Sequence, residues 1–156
     1  MFDLARIKGK ASQMLGSATR TIKTYSPDGW VPEKLFVNAI SASMALMVIA
    51  DKKIETGEVE AVMNFIMELP QVQELKLTKE SIELFELHLD MLEKVMDSQA
   101  KYIIATTKVL AEIAKVKKHS QYIPMISDIL AHVADSDGNV DVTEVAMKKR
   151  IMTVLQ

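Results

Sequence analysis

The sequence predicts an all-α protein: a compact single domain of about seven helices containing an internal pseudo-repeat of helix–acidic loop–helix. Three observations point there. Glycine and proline together number nine in 156 residues, while Met, Ala, Leu, Glu and Lys are abundant. Apolar residues recur at three- and four-residue steps, and no segment alternates as a strand would. At 49% hydrophobic and 26% charged, the chain has the balance of an ordinary globular domain and is long enough to bury roughly 70% of its unfolded surface.

In the first helix Leu4, Ile7, Ala11, Met14, Leu15, Ala18 and Ile22 form one apolar stripe. Its other face carries Arg6, Lys8, Lys10, Arg20 and Lys23. The Pro and Asp-Gly signals of Tyr25–Pro32 mark a loop, and Pro32 suits the first turn of the next helix. That helix runs to about Ala50. Its apolar stretch, Leu35 to Ala50, is interrupted by Asn38, Ser41 and Ser43 and falls short of the ~20 residues a bilayer span needs. It reads as a buried core helix. A third helix follows Thr56 and stops at Leu69-Pro70, and residues 71–77 hold a short helical turn. Further helices are expected over 81–96, from Gln99 to about Val116, over 122–134 and over 143–155.

Composition also excludes chemistry. With no cysteine there are no disulfides, zinc-thiolate sites, iron–sulfur clusters or thiol redox steps. A formal charge of −2 lacks the footprint of a nucleic-acid binder. The N-terminus lacks the apolar core of a signal peptide, so a cytoplasmic location is expected. Charge is nevertheless segmental: +3 over residues 1–34, −7 over 50–100, +3 over 101–134 and −1 over 135–156.

Two stretches match at an offset of 86 residues. Asp51 pairs with Asp137, Ile54 with Val140, Glu55 with Asp141, Glu58 with Glu144 and Val59 with Val145. Upstream, Ile40 and Met44 pair with Ile126 and Leu130. Downstream, Ile66 and Leu69 pair with Met152 and Leu155. Part of each acidic loop is a helix start: Asp141 and Glu144 have the spacing of a capping box, and Glu58 lies where the helix dipole favours an anion. That does not account for Asp135 and Asp137. Four carboxylates within ten residues, Asp135, Asp137, Asp141 and Glu144, repel unless solvent or a hard cation screens them. EF-hand spacing fails, because counting from Asp135 places Val140 at position 6 and Ala146 at position 12. Gly138 is expected to supply a positive φ.

The segment Ala134-Asp135-Ser136-Asp137-Gly138 followed by Glu144, set between two helices, resembles the signature of the TerB-like tellurite-resistance family. The degenerate copy from Ala50 to Glu58, the opening Phe2-Asp3-Leu4-Ala5-Arg6-Ile7-Lys8-Gly9 and the segment Glu74–Thr78 extend the resemblance over nearly the whole chain. It implies an amphipathic N-terminal helix and loop over 1–30 and a TerB-like helical domain over 31–156. It also implies a non-enzymatic role in tellurite resistance and related stress responses, including phage resistance, in company with other stress-response proteins. A divalent cation (calcium, magnesium or manganese) is the expected ligand, with no organic cofactor. The metal-site residues it implies are Asp137, Asp141 and Glu144 in the second loop and, by charge, Asp51, Glu55 and Glu58 in the first; Asp135 joins them as the fourth carboxylate of the second-loop cluster. Lys52-Lys53 departs from the Gly and neutral residue common there, so that an ammonium could stand in for the cation.

His132 and Asp135, one turn apart, could share a metal, although a histidine near a helix C-terminus commonly serves the dipole. Met44, Met47, Met63 and Met91 lie in apolar patterns and read as core. Lys101, Lys108 and Lys115 recur every seven residues, a solvated face or a docking site for an acidic partner. No nucleophile elbow, phosphate loop or zinc helix occurs. The alternative expectation is a metal-free scaffold or membrane-surface adaptor that uses the basic helix of residues 1–24 at the inner membrane face.

Overall fold

The computed structural model describes residues 30–135 and 142–156, and these form seven α-helices and two short 3₁₀ turns, with no strand among them. The expected N-terminal helix, with the adaptor surface over 1–24, lies outside the described residues. So do Asp137, Gly138 and Asp141.

Helix α1, Pro32–Val48, is the centre of the molecule. Pro32 starts it after an extended Val31, which leaves no first-turn N–H wasted. Every side chain from Leu35 to Val48 is buried. A helix apolar all round has no solvent face and must be enclosed on every side, and here α1 packs against each of the five longer helices introduced below. Ala39, Ala42, Ala45, Ser41 and Ser43 keep its girth small. The serines remain satisfied: the Ser43 hydroxyl donates to the Ala39 carbonyl at 2.6 Å, and Ser41 Oγ lies 2.9 Å from the Ser81 carbonyl and 2.8 Å from the Ser81 hydroxyl.

Helix α2, Thr56–Glu68, ends where Pro70 cannot continue it; Pro70 instead starts the short α3, Pro70–Glu74. A left-handed turn at Lys76, φ 59°, leads into α4, Thr78–Val95. This helix begins three residues before the Ser81 start read from the apolar stripe. Its first turn, Thr78-Lys79-Glu80, is polar and therefore silent in that pattern. Of the apolar stripe expected to be buried, Ile82, Phe85, Leu89 and Leu92 are, whereas Met96 sits at the C-cap, where the helix ends, and is only half-buried. Helix α5, Gln99–Ala114, is capped by the Ser98 hydroxyl, which accepts from the Lys101 N–H. The chain then tightens into 3₁₀ turns at Lys115–Lys118 and Ser120–Tyr122. Helices α6, Ile123–Asp135, and α7, Val142–Val154, complete the domain.

The core is continuous, from Phe36, Ile40 and Met44 through Ile66, Phe85 and Leu89 to Ile126, Leu130 and Ile151. The expected packing role of the methionines holds for Met44, Met47 and Met63, while Met91 is half-buried. Among the described residues no helix is long and apolar enough to cross a membrane.

Candidate functional site

The turn leaving α1 sets up the first acidic loop. Tyr102, from α5, donates its hydroxyl to the Ile49 carbonyl at 3.3 Å and so ties α5 to the end of α1. The chain reverses at Lys52, whose φ is 60° and whose N–H reaches the Ile49 carbonyl at 2.8 Å. A left-handed residue here closes a helix end as glycine commonly does, and the 86-residue offset pairs Lys52 with Gly138. Asp51 then accepts the Lys53 N–H at 2.9 Å, an Asx turn that holds its carboxylate at the start of the loop. Glu55 sits at the N-cap of α2 without a side-chain capping bond, and Glu58 lies in the first turn.

The fold brings the two acidic segments together at Glu58 and Glu144. Glu144 occupies the first turn of α7, and its carboxyl group is hydrogen-bonded to that of Glu58. Burial, then the Glu144 and Asp51 charges, then that hydrogen bond, then the Glu55 charge push the Glu58 carboxyl from 4.5 up to about 8. Two facing carboxylates cannot both ionise cheaply. At neutral pH Glu58 therefore keeps its proton and donates it to Glu144. Such a pair can exchange that proton for a cation. Asp51 and Glu55 are exposed at the edge of the same field.

The lysines beside this loop do not neutralise it by pairing among the described residues. Lys52 instead places its ammonium 5.0 Å from the centre of the Tyr102 ring, and Lys53 is exposed. His132 is exposed and lies beside Phe65, ring centres 6.3 Å apart. Asp135 is the last residue of α6. Among the described residues no group of three or more His, Asp or Glu side chains is arranged to hold a metal ion. The two remaining second-loop acids, Asp137 and Asp141, lie outside them. The two copies also differ: Val59 is fully buried in α2, whereas Val145, its counterpart in α7, is 48% exposed.

Of the lysine series, Lys101 and Lys108 are exposed on α5. Lys115 lies past its end and pairs with Glu112 at 3.0 Å.

One polar pair escaped sequence reasoning. His88 of α4 is buried, and its Nε2 lies 2.8 Å from Asn38 Oδ1 of α1. Burial lowers the His88 pKa to about 3, so the imidazole stays neutral and donates from Nε2. The interruption of the apolar run at Asn38 was its only trace in the sequence.

No protein-family pattern, curated protein or solved structure matches the chain. The class defined by fold and site is therefore an all-α domain carrying a pair of apposed glutamates at two helix starts.

Proposed function

We propose that the chain is a non-enzymatic, cytoplasmic, TerB-like helical module that binds a divalent cation through its two acidic loops and acts as an interaction module in tellurite resistance or a related stress response. The observation that carries this reading is the Glu58–Glu144 pair. Residues 86 apart in sequence meet as acids, and one must hold a proton. Calcium, magnesium or manganese replaces that proton and takes its remaining oxygens from Asp51, Glu55, Asp135, Asp137 and Asp141. A partner would then read the metal-loaded loops.

Isothermal titration with each of the three ions tests the reading. Heat of binding with at least one ion, lost in Glu58→Gln/Glu144→Gln, supports it. No heat with any ion, together with an unchanged melting temperature at millimolar ion, overturns it.

A further inference from the structure

Helices α4 and α5 leave an apolar groove of about 260 Å³ between them. Met91 and Val95 line it from α4, and Ile104 and Val109 from α5. Ile104 is 56% exposed and, with Met91, Val95 and Val109, makes a contiguous apolar surface rather than a lone exposed side chain. Lys101 and Lys108 also line the groove. They are two turns apart on one face of α5, about 10.5 Å along its axis, and neither pairs with a carboxylate among the described residues. On α4 the adjacent Lys94 is neutralised by Asp90 at 3.1 Å, so the groove is left with an apolar floor and a positive edge.

We infer that this groove docks an acidic amphipathic helix of a partner protein, its apolar residues seated beside Ile104 and its carboxylates, seven residues apart, meeting Lys101 and Lys108. The charge pattern selects this occupant. Two copies joined antiparallel through the groove would set Lys101 of one against Lys108 of the other, a like-charge encounter. A bilayer would leave a concave floor unfilled, whereas the side chains of a helix enter it. The inference names the partner surface of the interaction module proposed above and rests on that part of it. It needs no cation, so each can fail alone.

The test uses the full chain in chelator and a fluorescent amphipathic peptide with leucines at the a and d positions of a heptad and glutamates flanking them. A second peptide carries lysine in place of every glutamate. The glutamate peptide should bind, more weakly as salt rises, and the lysine peptide should not. Lys101→Glu/Lys108→Glu should weaken the glutamate peptide by about tenfold and transfer preference to the lysine peptide. Ile104→Ser should weaken binding of the glutamate peptide while circular dichroism stays unchanged. Equal binding of both peptides, no binding at millimolar peptide, or indifference to the charge reversal overturns the proposal. So does self-association of the wild-type chain that Ile104→Ser abolishes, which would give the groove to a second copy.

Discussion

Glu58 and Glu144, in the first turns of α2 and α7, share a hydrogen bond between carboxyl groups that stand 86 positions apart in the chain. Each alone would be an unremarkable acid at a helix N-terminus, favoured by the dipole. Together they cost stability whenever both ionise.

Glu58→Gln should therefore stabilise the protein in a pH-dependent way. The folded-state pKa of about 8 lies above the ordinary 4.5. The contribution of the protonated carboxyl is full below pH 4.5 and is lost as pH rises through 8. Gln removes that loss and still donates a hydrogen bond to Glu144. The melting temperature of the variant minus that of wild type should be small at pH 5 and grow towards pH 9. A constant difference would show that Glu58 does not titrate in the folded protein near pH 8.

Cation binding should release a proton at neutral pH. A divalent ion favours ionised Glu58, so the observed binding heat should vary with the ionisation enthalpy of the buffer near pH 7 and cease to vary at pH 10. Asp137→Asn should abolish the thermal stabilisation given by the ion. Buffer-independent heat at pH 7 would mean that the ion binds away from Glu58.

Acid should destabilise the fold through His88. Its folded pKa of about 3 lies below the ordinary 6.5. The unfolded chain takes up a proton that the folded one refuses, so stability is full above pH 6.5 and falls as pH drops from there towards 3. His88→Leu alone should cost about 1–3 kcal/mol by stranding the Asn38 oxygen. Asn38→Leu/His88→Leu should recover part of that cost and flatten the stability profile between pH 6.5 and 4. Urea titrations at several pH values measure both effects.

Lys52→Gly should stabilise the protein by about 0.5 kcal/mol. Relief of the left-handed backbone, worth about 1 kcal/mol, exceeds the loss of an exposed contact with the Tyr102 ring. Because the Lys52 ammonium lies over the Tyr102 ring and not on the acidic pair, calcium should bind the variant no more weakly than wild type. Chemical denaturation and calorimetry on the one variant read both outcomes.

Phe36→Ala should cost about 3–5 kcal/mol. Phe36 is fully buried and stacks on Tyr122 with ring centres 4.5 Å apart. A cost below 1 kcal/mol, from urea midpoints at constant slope, would show that α1 is not the centre of the core.

The helices were legible because burial writes itself into the sequence at the helical period. Ile82, Phe85, Leu89 and Leu92 announce α4, and the unbroken run from Leu35 announces a helix enclosed on all sides. Proline and glycine signals fixed where α1 begins and α2 stops. Polar first turns carry no apolar mark, which is why Thr78–Glu80 was missed. The acids of the site were legible as residues, through the 86-residue match, and Glu58 and Glu144 were both among them.

What the sequence by itself determined is the class of the fold and the inventory of acids, since helix propensity, apolar period and carboxylate count are local properties. Only tertiary structure decided that Glu58 meets Glu144, that Lys52 turns to Tyr102 rather than to those acids, and that Asn38 meets His88. Those pairings depend on the packing of helices far apart in the chain around α1. A carboxyl's proton affinity or an amide's partner is set by neighbours in space, which no stretch of residues contains.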